Sequence, residues 1–276
     1  MIEGMLCDLD GVVYRAHEPC EGAVEALADA RAAGVRVLYM TNNASRTPQQ
    51  VAAQLRDLGV TAEDEDVMTA SQVAAEVLRE RRPELLEGGR VLAVGGPGVA
   101  DALGAVGFET LAPQDVAHAA GSGRAPEIGA VVQGYGPQVG VIDLAEAAYA
   151  IRAGAEWIAT NDDATLPTER GEAPGNGSLV AAVAHATGAA PLVVGKPHGP
   201  AYRTALSRLG TSPGATLMVG DRLETDIGGA VAAGLQSALV LTGVSTRDDA
   251  EAAPPACRPD RVAATMMDLT DLWRTS

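Results

Sequence analysis

The sequence predicts an α/β fold: a doubly wound, Rossmann-like parallel sheet with a second α/β domain inserted into it. Short apolar runs alternate with segments of helical periodicity, which is typical of a parallel sheet covered by helices. A polar stretch at 83–89 interrupts this alternation, and a second β/α series begins there. We therefore expect a discontinuous core domain at 1–83 and 190–276 and an inserted domain at 84–189.

Composition limits the possible partners. The chain has 276 residues, of which 47% are hydrophobic, enough for sizeable apolar cores. Its net charge of −16 argues against nucleic acid or an anionic membrane as partner, because both require a basic surface. The same charge repels phosphate esters at long range. Any phosphate site must therefore be made locally positive by a metal, a lysine or backbone N–H groups.

The cysteines indicate a reducing compartment. Cys7, Cys20 and Cys257 show neither the spacing of a disulfide framework nor that of a zinc site. The sequence also contains no signal-peptide pattern and no apolar stretch of membrane-spanning length. We expect a soluble, cytoplasmic protein.

Local signals place the elements of the first series. Thr47 is a suitable N-cap, Pro48 suits the first helical position, and Gln50 completes a capping box. Ser71 is the predicted cap of the following helix. We predict strands at 5–7 and 35–40 and helices at 22–33, 48–58 and 71–82.

The second and third series follow the same rules. A long polar loop at 160–177 follows a predicted strand, where α/β folds place binding loops, and 115–127 is predicted to be a surface loop. The other predicted strands are 90–94, 129–133, 156–159, 191–194, 216–219, 237–241 and 261–263. The other predicted helices are 98–106, 143–153 and 224–233, with a final helical turn at 269–273.

The first strand ends in two carboxylates, Asp8 and Asp10, followed by Gly11. Two acids this close raise each other's cost of ionisation, so a site keeps both only if a cation neutralises them or the chemistry needs them. Phosphoryl transfer uses both, one as nucleophile and one as acid and base. A turn built from Asp and Gly explains the pattern equally well on its own.

Four apolar runs end in a distinctive polar residue: Asp8, Thr41, Lys196 and Asp221. The carboxyl ends of parallel strands lie at one edge of a sheet, so we expect these side chains to meet. Each has an ordinary alternative: a turn-capping Thr, a solvated Lys, or a helix N-terminal charge pattern for Asp221 with Asp226. Together, in this order, they favour a site that holds Mg²⁺ and a phosphoryl group.

The chain resembles the haloacid dehalogenase-like superfamily of aspartyl phosphatases. The resemblance rests on four motifs in order: D-L-D-G at 8–11, T-N-N at 41–43, G-K-P at 195–197 and G-D-R-L-E-T-D at 220–226. The insert resembles the C2-type cap of subfamily IIA, and the run from Thr160 to Ser178 is most similar to bacterial glycerol-3-phosphate phosphatases. Pyridoxal phosphatases carry a histidine where this chain has Leu166, which disfavours pyridoxal phosphate.

The resemblance implies a mechanism. Asp8 attacks phosphorus to form an aspartyl-phosphate, and Asp10 serves as general acid and then as general base. Asp8, the backbone carbonyl of Asp10, and Asp221 bind Mg²⁺. Asp226 belongs to the same metal group and orients Lys196 or a metal-bound water.

The resemblance also implies the substrate contacts. Thr41, Asn42 and Lys196 hold the phosphoryl oxygens, assisted by backbone N–H groups after Asp8. The expected substrate is a small phosphorylated metabolite, with glycerol 3-phosphate the first choice and another sugar, glycolate or nucleotide monophosphate the alternative. The predicted substrate-binding residues are Gly11, Thr41, Asn42, Asn43, Arg170 and Lys196, with Arg170 on the loop that closes over the leaving group.

Two other functions stay open. A catalytically silent module that binds phosphometabolites would have lost Asp8 or Asp10, and both are present. A phosphotransferase or mutase would differ in the inserted domain, which the sequence does not resolve. Resemblance to the subfamily also implies a homodimer formed through the cap.

Overall fold

The computed structural model describes residues 2–168 and 170–274, which form two compact units. The core unit comprises Met1–Thr41, Pro48–Met68 and Lys196–Ser276, and the insert unit comprises Asn42–Thr47 and Thr69–Gly195. The insert unit thus begins before the predicted boundary at 84 and ends after the predicted boundary at 189. It also takes in the short segment that follows Thr41.

Strands and helices alternate along both units. The strands are β1 (Gly4–Cys7), β2 (Tyr14–Arg15), β3 (Glu18–Pro19), β4 (Arg36–Thr41), β5 (Val67–Thr69), β6 (Arg90–Val94), β7 (Glu109–Leu111), β8 (Ala130–Gln133), β9 (Glu156–Ala159), β10 (Thr165–Thr168), β11 (Gly171–Pro174), β12 (Leu192–Val193), β13 (Thr216–Gly220), β14 (Gln236–Val240) and β15 (Arg261–Ala263). The helices are α1 (Ala23–Ala32), α2 (Pro48–Asp57), α3 (Ala70–Arg81), α4 (Pro97–Ala105), α5 (Pro113–Gly121), α6 (Val141–Arg152), α7 (Asn176–Thr187), α8 (Gly199–Leu209), α9 (Gly228–Ala233) and α10 (Arg247–Ala252).

The core sheet confirms the predicted doubly wound α/β class. Its described strands lie in the order β15-β14-β13-β1-β4-β5, and β1 pairs in parallel with β13 and β4. Cys7 is level with Val219 on one side and Tyr39 on the other, so these three strands end at the same edge. Both β1 and β13 are buried along their whole length, as expected for central strands of a parallel sheet.

The insert unit has its own parallel sheet, in the order β12-β9-β8-β6-β7. Its apolar core includes Leu92, Val131 and Trp157. The predicted strands 90–94 and 156–159 coincide with β6 and β9. Of the helices described, none combines the length and apolar character needed to cross a bilayer.

Three local predictions were wrong. The predicted loop at 115–127 begins as part of α5, because Pro113 suits a first helical turn and Val116 packs into the insert core. Thr69, not Ser71, caps α3: its side chain accepts from the Gln72 N–H, and Ser71 is buried instead. The predicted loop at 160–177 contains the antiparallel hairpin β10–β11 and the start of α7.

The end of the chain also differs in detail from the prediction. The predicted helix 224–233 is a π-helical turn at Leu223–Ile227 followed by α9, and the predicted last turn is a 3₁₀ segment at Met266–Leu272. The π-helical turn matters because it carries Asp226.

Candidate active site

Asp8 and Asp10 lie in different environments. Asp8 follows β1, where its N–H donates to the Val219 carbonyl at 3.0 Å, and its residue is only 9% exposed. Asp10 is exposed in the tight turn after it, in which the Leu9 carbonyl accepts the N–H groups of 12, 13 and 14. A buried carboxylate beside an exposed one suits a division of roles between nucleophile and proton carrier.

Lys196 lies between two buried carboxylates. Its ammonium donates to Asp8 Oδ1 at 2.5 Å and to Asp226 Oδ1 at 2.7 Å, and the residue is 3% exposed. It is the only lysine in the sequence, and every other Lys/Arg position is arginine. At this buried position a compact ammonium, with three donors on one atom, bonds two separate carboxylates.

The structure corrects the predicted position of Lys196 relative to the sheet. We expected it at the end of a core strand, but β12 pairs with β9 in the insert sheet, with Leu192 level with Ile158. Lys196 is instead the first residue of the last core segment, just before α8. The prediction failed because an apolar run does not indicate which of two sheets it joins.

Asp226 is fully buried on the π-helical turn and is held at both oxygens. Oδ2 accepts the N–H groups of Asp221 at 3.2 Å and Arg222 at 3.1 Å, while Oδ1 accepts from Lys196. Gly220 is required beside it, because a Cβ there would overlap the Asp226 side chain. The predicted part of Asp226 in orienting Lys196 agrees with these contacts.

Tyr202 supports the same turn and was not predicted from sequence. The residue is buried on α8, and its hydroxyl lies 2.9 Å from the Thr225 carbonyl oxygen and 3.1 Å from that of Asp226. Its ring fills the space beside Gly229, where a Cβ would overlap it. A lone tyrosine at helical spacing gives no sequence signal for this role.

Asp221 follows β13 and has one oxygen bound and one unbound. The Val244 N–H donates to Oδ2 at 2.8 Å. Oδ1 is buried and has no hydrogen-bond partner among the described residues. A buried carboxylate oxygen without a partner is costly, so Oδ1 is a natural position for a cation.

Burial raises the pKa of the carboxyl groups Asp8 and Asp221, whereas neighbouring charges decide the direction for Lys196. Burial raises the pKa of Asp8 to about 8, although the Lys196 charge opposes it. Burial and the charge of Asp226 raise the pKa of Asp221 to about 6. For Lys196 burial acts to lower the pKa, but Asp226 and Asp8 outweigh it and raise the pKa above its ordinary value.

The carboxylates fit a divalent metal ion. One oxygen from each of Asp8, Asp221 and Asp226 lies within 4.8 Å of the others. With only Lys196 as a counter-charge inside this described cluster, the ionised carboxylates leave two negative charges uncompensated. A hard divalent cation supplies that charge and prefers such oxygen ligands. It would also keep Asp8 ionised at neutral pH, which burial alone opposes.

Two predicted phosphate-site residues, Thr41 and Gly11, belong to the core unit that holds these carboxylates. Thr41 is buried at the end of β4, next to β1. Gly11 has φ +83°, a conformation that favours glycine, and its N–H donates to the Tyr14 carbonyl at 2.8 Å. The amide of Gly11 is thus used within the turn.

Asn42 and Asn43 belong to the insert unit. Asn42 donates from Nδ2 to Asp163 Oδ2 at 3.1 Å, and its carbonyl accepts from Asn161 Nδ2 at 2.8 Å. Asn43 Oδ1 accepts from the Ser45 N–H at 2.8 Å. The structure therefore joins Asn42 to the polar loop that the sequence had identified at 160–177, through Asn161 and Asp163.

Arg170 is exposed at the hairpin between β10 and β11 of the insert unit. Its N–H donates to Thr168 Oγ1 at 3.2 Å, and that hydroxyl donates to the Gly171 carbonyl at 2.7 Å. Among the predicted site residues, Asp8, Lys196, Asp221 and Asp226 are brought into one cluster, whereas Arg170, Asn42 and Asn43 lie in the other unit.

Comparison with known proteins finds similar sequences and structures over most of the chain. The family model for haloacid dehalogenase-like hydrolases matches residues 5–109, and a second, HAD-hydrolase-like model matches 193–269. The chain is 48% identical to D-glycerol 3-phosphate phosphatase of Mycobacterium tuberculosis over 96% of this chain and 70% of that protein. It is 36% identical to the 5′-nucleotidase YutF of Bacillus subtilis, over 89% of this chain and 90% of that one. A solved structure of the M. tuberculosis glycerol phosphate phosphatase in complex with magnesium superposes with a TM-score of 0.87 at 46% identity, covering 98% of this chain and 77% of that one.

Proposed function

Because the chain belongs to the haloacid dehalogenase-like hydrolases and is a phosphatase, we propose that Asp8 is the nucleophile of a Mg²⁺-dependent phosphomonoesterase acting on glycerol 3-phosphate. The observation that carries the proposal is the buried cluster of Asp8, Lys196, Asp226 and Asp221. It combines a nucleophile, a fixed positive charge and an oxygen donor set for a divalent cation.

In the first half-reaction an Asp8 carboxylate oxygen attacks phosphorus and the bond from phosphorus to the ester oxygen breaks. Asp10, exposed in the adjoining turn, gives its proton to the departing alkoxide. Lys196 keeps Asp8 oriented through its bond to Oδ1, and with Thr41 it holds the phosphoryl oxygens. When bound, Mg²⁺ reduces the repulsion between the anionic nucleophile and the anionic ester.

In the second half-reaction Asp10, now ionised, takes a proton from water as the water oxygen attacks phosphorus. The bond between phosphorus and Asp8 breaks, inorganic phosphate leaves, and both carboxyl groups return to their starting forms. Asp221 and Asp226 would hold the cation when it is bound, and Asp226 keeps Lys196 in place.

The choice of glycerol 3-phosphate rests on the M. tuberculosis relative, whose identity to this chain is the higher of the two sequence matches described above. We assign substrate selection to the polar segment 160–177 with Asn42, and we assign contact with the substrate to Arg170. The experiment is a panel of glycerol 3-phosphate, phosphoglycolate, a sugar phosphate, a nucleoside 5′-monophosphate and p-nitrophenyl phosphate, assayed with Mg²⁺ for free phosphate.

The highest kcat/KM is expected for glycerol 3-phosphate, with Asp8→Asn as the inactive control. A tenfold higher kcat/KM for another metabolite would overturn the substrate, and no phosphate release from any ester would overturn the activity. Arg170→Ala should raise KM for glycerol 3-phosphate more than KM for p-nitrophenyl phosphate.

A homodimer formed through the insert unit and a cytoplasmic location are also part of the proposal. The free thiols of Cys7, Cys20 and Cys257 are consistent with a reducing compartment. Light scattering of the purified chain, with and without Mg²⁺, measures the mass directly, and a monomer at micromolar concentration would overturn the dimer.

A further inference from the structure

The loop after β14, Thr242-Gly243-Val244-Ser245, returns beside Asp221 and binds it twice. The Val244 N–H donates to Asp221 Oδ2 at 2.8 Å, and the Ser245 N–H donates to the Asp221 carbonyl at 3.0 Å. We call these four residues the 242–245 loop. It fixes both the backbone and the carboxylate of Asp221.

The 242–245 loop also binds the segment that follows the nucleophile. The Thr242 hydroxyl donates to the Gly11 carbonyl at 2.7 Å. The exposed Arg15 guanidinium, on the β2–β3 hairpin, donates to the Gly243 carbonyl at 2.8 Å. One loop thus joins the turn that carries Asp10 to the carboxylate of Asp221.

The backbone at Gly11 and Gly243 packs closely against the Asp221 carboxylate and leaves it little room to move. A Cβ on Gly11 would stand 2.5 Å from Asp221 Oδ2 and 2.9 Å from Gly243 Cα. A Cβ on Gly243 would overlap the same carboxylate. Oδ2 is therefore enclosed by backbone and bonded to Val244, which leaves Oδ1, buried and unpartnered among the described residues, as the oxygen available to a cation.

We propose that Thr242 is a positioning residue for the metal site. Its hydroxyl holds the 242–245 loop against Gly11, so that the Val244 N–H occupies Oδ2 and Oδ1 is presented to the cation. The inference rests on the proposed function in one respect, which is that Asp221 binds Mg²⁺. Partners that orient a metal ligand affect metal affinity without touching the metal.

The test is isothermal titration of Mg²⁺ into the metal-free protein, together with the Mg²⁺ concentration that gives half-maximal phosphatase activity. Thr242→Val keeps the shape and removes the hydroxyl, and it should weaken Mg²⁺ binding on the order of 10–100-fold. Thr242→Ser keeps the hydroxyl and should bind like wild type. Thr187→Val is the control, because it removes a hydroxyl that donates to the Val183 carbonyl at 2.8 Å and accepts from the Ala189 N–H at 3.2 Å, both in the insert unit.

Arg15→Met provides the same test in a variant that loses only an exposed tether to the loop, so its folding is not at risk; a smaller weakening is expected. Wild-type Mg²⁺ affinity in both Thr242→Val and Arg15→Met would overturn the inference, as would equal losses in Thr242→Val and Thr242→Ser. If wild-type protein hydrolyses esters and binds Mg²⁺ while the variants are unaffected, this inference alone fails. If wild type neither binds Mg²⁺ nor releases phosphate, the proposed function fails with it.

Discussion

Replacing Lys196 with Met leaves the buried carboxylates of Asp8 and Asp226 without their shared counter-charge. Both bonds, 2.5 Å and 2.7 Å, are lost, and the residues involved are at most 9% exposed. Removing one partner of a buried ion pair typically costs about 3–5 kcal/mol, because the remaining charge stays desolvated. For a chain of this size that corresponds to a fall in Tm of roughly 6–20 °C.

The loss of stability caused by Lys196→Met should depend on pH in a predictable direction. Burial raises the pKa of Asp8 from 3.8 to about 8 even with Lys196 present, and the variant lacks that opposing charge. A carboxyl with a raised pKa binds its proton more tightly in the folded state, so the folded state gains stability as pH falls from about 8 toward 3.8. Wild type gains the same stability on acidification below about pH 8, so the difference in Tm between variant and wild type should be largest above pH 8, shrink as the pH falls toward 8 and stay constant below it.

The assay is thermal unfolding followed by circular dichroism in EDTA, from pH 5 to pH 9, with phosphate release measured in parallel. Lys196→Arg is the matched control. It should recover part of the lost stability because the charge remains, but not the activity, because a planar guanidinium cannot occupy the place of the ammonium. The double variant Lys196→Met/Asp226→Asn should be more stable than Lys196→Met alone. A Lys196→Met protein as stable as wild type at pH 9, or one whose loss of stability grows as the pH falls from 9 to 5, would refute the reasoning.

Three further predictions concern the carboxylates. Asp8→Asn should fold normally, as seen by circular dichroism, and release no phosphate; activity within a few-fold of wild type would exclude the covalent mechanism. Asp10→Asn should slow release of glycerol from glycerol 3-phosphate on the order of 10²–10⁴-fold while leaving the pre-steady-state burst of p-nitrophenol near the wild-type rate, because nitrophenolate leaves without a proton. Equal slowing of both bursts would mean that Asp10 positions the turn rather than donating a proton. Because the pKa of Asp221 is raised to about 6, Mg²⁺ must displace protons at acid pH, so Mg²⁺ should raise Tm more at pH 8 than at pH 5; an equal rise at both would contradict this.

The positions of Asp8 and Asp221 could be predicted from the sequence because the ends of buried apolar strands are recognisable. Asp8 and Asp221 follow β1 and β13, fully buried apolar runs whose parallel pairing brings their ends to one edge. The same rule applied to the next run would have led to Thr242, which follows the strand predicted at 237–241. A Thr-Gly pair after a strand is equally typical of an ordinary turn, so the sequence alone does not single out Thr242.

Other features depended on tertiary structure that no local pattern carries. The short run at 192–193 could join either of two parallel sheets, and only its pairing with β9 places it in the insert unit. Helix α5 was missed because its polar, alanine-rich surface face resembles a loop, although Val116 packs into the insert core. The hydrogen bonds of Tyr202 depend on the packing of α8 beside the π-helical turn, which the predicted continuous helix at 224–233 did not include.

The use of lysine rather than arginine at position 196 indicates that the site requires a particular donor geometry and not only a positive charge. Arginine fills every other basic Lys/Arg position of this chain, and any buried cation would offset part of the carboxylate charge. The fork of a guanidinium is spaced for the two oxygens of one carboxylate, whereas this cation bonds single oxygens of two carboxylates, 188 and 30 residues away in sequence. An ammonium can do so because its three donors radiate from one atom. We therefore expect that lysine is needed for the position of its donors rather than for its charge alone. For this reason Lys196→Arg should retain more of the stability than of the turnover.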